Sequence, residues 1–209
     1  AGAGLAAVSG LILAGVCFYL VSEFGGTADV TAAAAAGGLL AAAGLIGGFM
    51  LVNQAPKGAV VAAMGLAILG HAALAAGLIP GLAPLWSSAR VAKIMESERL
   101  LPRQGMAAAP VAVAGYAEPS LVFALGTPTV LEDGAQAAQA IGGFRPAVVD
   151  ASEEAAFRAE LDARGLRVRQ VREVRGLNYS NGDRTHLRIY MNAEPRPAPA
   201  AGRAIGGRP

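Results

Sequence analysis

The chain has 209 residues, of which 54% are hydrophobic, and its 17 basic residues nearly balance its 15 acidic ones. Its single cysteine excludes an internal disulfide, and the low average charge describes neither half of the chain. Residues 5–81 carry only Glu23, Asp29 and Lys57 as formal charges, whereas nearly all the others follow Trp86. This distribution predicts a membrane protein with a charged extramembrane domain.

Three apolar stretches within residues 1–83 are predicted to be transmembrane helices. They cover about residues 5–21, 31–52 and 59–78, and about 18 apolar residues suffice to cross a hydrocarbon core roughly 30 Å thick. A signal peptide would need a basic leading segment, and it would not explain two further spans. The opening Gly2-Ala3-Gly4-Leu5-Ala6-Ala7 fits a dinucleotide-binding pattern, but no strand precedes it, so nucleotide binding is not predicted there.

Small residues dominate these spans, with pairs at Gly44 and Gly48 and at Gly37 and Ala41. This spacing allows helices to approach closely, and it predicts packing within the chain and against further helices encoded upstream. A bias toward Ala and Gly in a GC-rich genome is the alternative explanation. Because the chain begins at Ala1 rather than Met, we expect it to be the C-terminal part of a longer protein.

The connections between the spans predict the orientation. The first carries Glu23 and Asp29 and the second carries Lys57, so the positive-inside rule places the second in the cytoplasm. The third span then emerges on the outer side, which predicts a periplasmic domain on a bacterial inner membrane. His71 lies in the third span, where an ionisable group can mark a functional path or can hydrogen-bond a neighbouring helix. No Cys or Cys/His cluster predicts a metal site.

Residues 84–104 are predicted to form a linker helix, in which the sequence pattern is helical from Pro84 to Leu101. Trp86 stands where an interfacial aromatic anchor is expected, so we predict that this helix lies on the membrane surface. A solvent-exposed linker is the alternative for its second half.

An α/β domain is predicted over residues 105–193. Its expected strands are residues 110–115, 129–131, 147–149, 166–176 and 184–191, with helices between the first four strands and a tight turn at Asn181-Gly182 joining the last two. Asp133 and Ser152 are predicted helix caps, and Gly165 a helix stop. Alternation along the last strand predicts one buried face, formed by Leu187, Ile189 and Met191. The predicted fold is therefore three transmembrane helices followed by a small α/β domain with a mixed sheet of about five strands, then a disordered tail at 194–209.

Two segments of this domain resemble a known family. The run Gly115-Tyr116-Ala117-Glu118-Pro119-Ser120-Leu121-Val122-Phe123, with Gly126-Thr127 after it, and the later Gly176-Leu177-Asn178-Tyr179-Ser180-Asn181-Gly182 resemble the C-terminal periplasmic region of bacterial family 39 glycosyltransferases. These are polytopic enzymes of the GT-C class, similar to protein mannosyltransferases and to the aminoarabinose transferase of lipid A. The resemblance covers about residues 110–190.

The resemblance implies transfer of a sugar from a polyprenyl-phosphate donor to an acceptor at the outer face of the inner membrane, with inversion. In the family, the catalytic acid lies in the first outward loop near the N-terminus. No position of this chain matches it, so we expect the chain alone to be inactive. The implied partners are membrane lipids, upstream helices of the same protein and the lipid-linked sugar.

Four residues of these segments are candidates for ligand binding: Tyr116, Glu118, Asn178 and Tyr179. The first pair stands where a strand ends and a helix begins, a position from which side chains often reach ligands. The structural alternative is that Glu118 caps its helix, that Tyr116 packs in the core, and that Asn178 and Tyr179 support a turn.

Two other classes of function remain open. A non-catalytic membrane-anchored module, such as a sensor or assembly factor, would have the same organisation. A transporter would need paired polar residues across its spans, and only His71 offers itself. Nucleic-acid binding is not predicted, because the arginines of residues 158–175 alternate with acidic residues on a mixed-charge surface, where anionic lipid head groups are possible partners.

Overall fold

The computed structural model of the protein describes residues 2–101, 110–178 and 180–194. Within it, the chain divides into two compact units between Trp86 and Ser87, slightly after the predicted boundary. The predictions for Tyr179, for residues 102–104 of the linker and for the tail beyond Glu194 lie outside the described residues.

Three long apolar helices form the first unit. Helix α1 is Gly2–Phe24 and helix α2 is Val30–Val52. Helix α3 is Pro56–Ala73, and it continues through a π-helical turn at Leu74–Leu78 and a 3₁₀ turn at Ile79–Gly81. All three are long and apolar enough to cross a membrane, as predicted.

Glycines bring α1 and α2 into close contact. A Cβ atom on Gly44 would collide with the carbonyl oxygen of Ala6 and would lie 2.9 Å from Gly10 Cα. A Cβ atom on Gly48 would lie 2.7 Å from the carbonyl oxygen of Ala3. The predicted close approach is therefore confirmed at Gly44 and Gly48, where the absence of side chains allows backbone to meet backbone.

The second unit is an α/β domain that begins with helix α4, Ser87–Ser97. Its remaining elements are β1 (Ala112–Ala114), α5 (Pro119–Leu125), β2 (Val130–Glu132), α6 (Gly134–Gly142), β3 (Ala147–Asp150), α7 (Glu154–Arg164), β4 (Val168–Leu177) and β5 (Arg184–Asn192). The strands form one mixed sheet in the order β2-β1-β3-β5-β4. Strand β1 is parallel to β2 and β3, whereas β5 is antiparallel to β3 and β4. The predicted fold class is thus confirmed.

Helices cover both faces of this sheet. The connection through α5 runs outward from β1 to β2, and the connection through α6 returns past β1 to β3. Because parallel crossovers are right-handed, two crossovers that run in opposite directions across the sheet place their helices on opposite faces. Accordingly α4 and α5 pack on one face with Val113 and Val148, and α6 and α7 pack on the other with Ala112 and Val149.

Helix α4 is part of the α/β domain, whereas the sequence predicts an interfacial linker helix at residues 84–104. Val91 and Met95 are fully buried against Val171 and Val174 of β4. The helix ends at Ser97, earlier than predicted, and Leu101 beyond it is also buried in the same core. The apolar residues that repeat at helical spacing along α4 therefore pack against the sheet.

Capping differs between α6 and α7. Asp133 caps α6 as predicted, accepting a hydrogen bond from the backbone N of Gln136. Ser152 does not cap α7, because its Oγ donates instead to Asp150 Oδ1 at 2.9 Å and Glu153 takes the N-cap position. A carboxylate two residues earlier competes locally for the serine hydroxyl. Gly165 ends α7 in the left-handed conformation, as predicted.

Strand β5 has the predicted buried face, but toward its end the other face is buried as well, at Tyr190 and Asn192. Leu187 and Ile189 are buried as expected, whereas Met191 is only partly buried. On the other face, Tyr190 is fully buried and stacks on Phe157 of α7, with ring centroids 4.9 Å apart. The reason is that β5 lies inside the sheet between β3 and β4, under helices on both sides.

Candidate functional site

The topology creates a crevice at the carboxyl ends of β1 and β3. These strands are neighbours, but the chain leaves β1 toward β2 and leaves β3 toward β4, in opposite directions. Beyond the first residues of these two loops, which contact each other, the chain runs in opposite directions and leaves a crevice along this edge of the sheet. In open α/β sheets, ligands bind in this kind of gap, at a topological switch point.

A groove of about 490 Å³ occupies this position. We call it the switch-point groove. Its lining residues come from the loops after β1 and β3 and from the β4–β5 hairpin: Gly115, Tyr116, Asp150, Ser152, Asn178, Asn181, Asp183, Arg184 and Thr185. Its volume lies within the range of small-molecule sites.

The floor of the groove depends on Gly115. Its φ angle is +77°, and a Cβ atom there would lie 2.8 Å from Ser152 Oγ and 3.0 Å from both Asp150 Cβ and Glu153 Cγ. Glycine is thus required at position 115 for two reasons: the backbone is left-handed there, and the two loops approach each other closely. The loop after β1 is consequently seated directly on the loop after β3.

Asp150 ties the loop after β3 to strand β5. Its Oδ1 accepts hydrogen bonds from the N and Oγ of Ser152, and its Oδ2 accepts from Thr185 Oγ1 at 2.7 Å and from His186 N at 3.0 Å. Burial alone would raise the pKa of Asp150, but these hydrogen bonds outweigh it and hold the pKa below its usual value. A carboxylate with four accepted hydrogen bonds is a fixed anion and a poor proton acceptor.

Glu118 ties the loop after β1 to the β4–β5 hairpin. The residue is 5% exposed, and its Oε1 accepts hydrogen bonds from Ser180 N at 2.6 Å and from Ser180 Oγ at 2.8 Å. Glu118 does stand at the N-cap position of α5, yet its side chain makes no capping hydrogen bond. The carboxylate therefore joins two segments that lie 62 residues apart.

Three of the four predicted site residues meet at this edge of the sheet. Asn178 Oδ1 accepts a hydrogen bond at 2.9 Å from the same Ser180 N that bonds Glu118, so both residues converge on Ser180. Tyr116 is 2% exposed and lines the groove beside them. Tyr179 lies outside the described residues.

A second groove, of about 500 Å³, adjoins the first along the same edge. It shares Gly115, Tyr116 and Asn178 with the switch-point groove. Its other walls come from β1, β2 and the start of α6, including Leu131, which is 50% exposed. The carboxyl edge thus offers a continuous concave surface from β2 to β5.

Sequence reasoning missed Asp150, Ser180 and Thr185. Asp150 had a usable signal, because it directly follows a predicted buried strand and the carboxyl ends of parallel strands share one edge. Ser180 and Thr185 had none, since their importance depends on which strands become neighbours. No group of three or more His, Cys, Asp or Glu side chains within the described residues could hold a metal ion.

His71 is separate from these groups and lies in the first unit. Its Nδ1 donates to the carbonyl oxygen of Ala67, 2.8 Å away in the same helix, and its side chain is exposed on the surface of the helices. Bonding to its own helix differs from the predicted alternative of a bond to a neighbouring helix. A functional path through His71 remains a prediction.

No family model matches the chain, and no curated protein or solved structure is significantly similar to it.

Proposed function

We propose that this chain is part of a bacterial integral membrane glycosyltransferase, similar to family 39 of the GT-C class. One observation carries the proposal: the two segments that resemble this family meet through the Glu118–Ser180 hydrogen bonds at the edge of the switch-point groove. Motifs distant in sequence that converge beside a concave surface are typical of a binding site rather than of two independent turns.

The proposed reaction moves a sugar from a polyprenyl phosphate to an acceptor hydroxyl. The hydroxyl oxygen forms a bond to the anomeric carbon from the face opposite the phosphate, and the bond between that carbon and the phosphate oxygen breaks. The hydroxyl proton passes to a general base, and polyprenyl phosphate leaves with the electron pair. The configuration at the anomeric carbon is inverted.

The α/β domain would hold and orient a substrate in this reaction. Asp150 accepts four hydrogen bonds and stays ionised, so it does not supply a base of suitable pKa. Glu118 is buried and engaged by Ser180. We propose that the base belongs to another part of the complete enzyme, as the family resemblance implies.

We also propose that the domain lies on the periplasmic side of the inner membrane. The three candidate membrane-spanning helices support a membrane location. The side is inferred from Lys57 in the second connection under the positive-inside rule. Labelling of cysteines introduced at exposed Arg172 and at Lys57 with a membrane-impermeant thiol reagent in intact spheroplasts would test it: only the first is expected to react.

The test of function is a transfer assay on the full-length gene product. Purified enzyme in proteoliposomes is given radiolabelled sugars on polyprenyl phosphate, together with membrane lipids and peptides as acceptors. Ser180→Ala is expected to lower kcat/KM about fivefold or more, through loss of one partly buried hydrogen bond that positions the site. Ser97→Ala removes an exposed hydroxyl that donates to the carbonyl oxygen of Ile94 within α4, and should leave transfer unchanged.

No transfer from any polyprenyl-linked sugar would overturn the enzymatic proposal. The second candidate would then apply, a non-catalytic membrane-anchored α/β binding module. The fully hydrogen-bonded Asp150 favours this alternative, because it holds other groups of the groove in place while being itself a poor proton acceptor.

A further inference from the structure

We infer that the switch-point groove binds an uncharged, hydroxyl-rich ring of about the size of one hexose, and that it excludes phosphate groups. The inference rests on the proposed function, because it identifies the part of a sugar-bearing substrate that this domain would hold. Its evidence is the chemistry of the groove itself.

The groove is unsuited to a phosphate. In doubly wound domains, phosphates usually bind at the start of the helix after the first strand, where free backbone N–H groups and the helix dipole attract anions. Here Glu118 places a carboxylate at that position, and Pro119 follows it with no N–H to donate. Among the described lining residues, Arg184 is the only cation, against the carboxylates of Asp150 and Asp183. An anionic ligand would meet net repulsion.

The lining instead offers neutral donors and acceptors. Thr185 Oγ1 and Ser152 Oγ both donate to Asp150, so each presents only acceptor capacity to a ligand. Asn178 uses its Oδ1 to accept from Ser180 N, so its amide NH₂ is the group that can donate to a ligand. A sugar hydroxyl both donates and accepts, and this is the chemistry that such a mixed lining satisfies.

The lining groups are also held in place before any ligand binds. Asp150 fixes Thr185 and Ser152, Ser180 fixes Asn178, and Gly115 seats one loop on the other. A preorganised polar site avoids part of the entropic cost of binding. Tyr116, which is 2% exposed and packs in the hydrophobic core, supports the groove wall from beneath.

The test is a nuclear magnetic resonance titration of the full chain in lipid nanodiscs. The probes are methyl α-mannoside, methyl β-glucoside, glucose 1-phosphate and inorganic phosphate, and the readout is the shift of the backbone amide resonances of Gly115 and Thr185. We expect at least one methyl glycoside to shift these resonances saturably. Glucose 1-phosphate should bind about tenfold more weakly, and inorganic phosphate should cause no saturable shift.

Asn178→Asp is the diagnostic variant, since the carboxylate can still accept from Ser180 N while the NH₂ donor is lost. It should weaken glycoside binding about tenfold or more. Gln139→Glu makes the same amide-to-acid change on α6, outside the groove lining, and should leave binding unchanged. An unchanged amide spectrum away from residue 178 would show that the variant folds.

The outcomes separate this inference from the proposed function. Absence of saturable shifts with every glycoside, or tighter binding of the phosphates, overturns the inference. If Asn178→Asp leaves the transfer activity of the full-length enzyme unchanged and no glycoside shifts the resonances of the groove, the proposed function stands and the sugar site is rejected. If glycosides bind in the groove but the full-length protein transfers no sugar, the sugar site stands and the glycosyltransferase proposal is rejected.

Discussion

Glu118 and Ser180 form the contact that joins the β4–β5 hairpin to the loop after β1. One carboxylate oxygen accepts from both the backbone N and the side-chain Oγ of Ser180, at 2.6 and 2.8 Å. Hydrogen bonds to a buried carboxylate are stronger than those between neutral groups. This contact therefore decides whether the hairpin remains a wall of the groove.

Replacing either partner should loosen the hairpin selectively. Glu118→Ala is expected to lower the free energy of unfolding by about 2 kcal/mol, and Ser180→Ala by about 1 kcal/mol. The double variant should cost less than the sum, because both changes remove the same hydrogen bond. Hydrogen exchange of the hairpin amides in the full chain measures these effects, with exposed Ser97→Ala as the control. Additive effects would show that the two residues act independently.

Gly115 and Gly165 offer a matched pair of glycines with positive φ. Both prefer glycine for backbone reasons, at φ +77° and +62°, but only Gly115 would bring a Cβ atom against neighbouring residues. Gly165→Ala should cost about 1 kcal/mol from the left-handed backbone, whereas Gly115→Ala should cost about 2 kcal/mol more from overpacking. Hydrogen exchange of β1 and β3 amides gives both values, and equal costs would contradict the close approach of the two loops.

Thr185→Val tests the hydrogen bonds of Asp150 through their pH dependence. Since the pKa of Asp150 is lowered in the folded state, its stabilising contribution is present above the unfolded pKa and is lost as pH falls through the folded pKa. The variant should lose about 1.5 kcal/mol at pH 7 and progressively less below about pH 4. Urea titrations followed by amide resonances of the α/β domain at pH 7 and pH 3 measure this change.

Thr129→Val is the control for that experiment. Its hydroxyl donates to the carbonyl oxygen of Gly126, a neutral acceptor. Its cost should therefore be the same at both pH values. A Thr185→Val difference that also stays constant with pH would mean that the threonine contributes packing rather than a hydrogen bond to an ionised carboxylate.

Gly44→Ala should separate α1 from α2. A methyl group at Gly44 would collide with the carbonyl oxygen of Ala6, whereas one at Gly38 on the same helix meets nothing within 4 Å. Gly44→Ala is expected to lower the thermal midpoint of the helices in detergent by several degrees, at a cost of about 1–3 kcal/mol. Gly38→Ala should leave it unchanged or raise it slightly. A neutral Gly44→Ala would argue that the two helices are not held by this contact.

Features that depend on near neighbours in the chain can be predicted from the amino-acid sequence. Length and uninterrupted apolar character predict the three long helices, and Asp133 predicts the start of α6. Asn181-Gly182 predicts the hairpin, because turn chemistry needs only the residues of the turn. Each signal acts over a few residues, so each could be recognised without knowledge of the rest of the fold.

The pairing of distant groups, by contrast, depends on how the whole domain folds. The position of β5 between β3 and β4 buries Tyr190 and delivers Thr185 to Asp150, and the hairpin delivers Ser180 to Glu118. The apolar face of α4 is visible in the sequence, but its partner is the sheet. Strand order arises from competition among long-range pairings throughout the domain, and for that reason no local pattern reveals the groove that those pairings create.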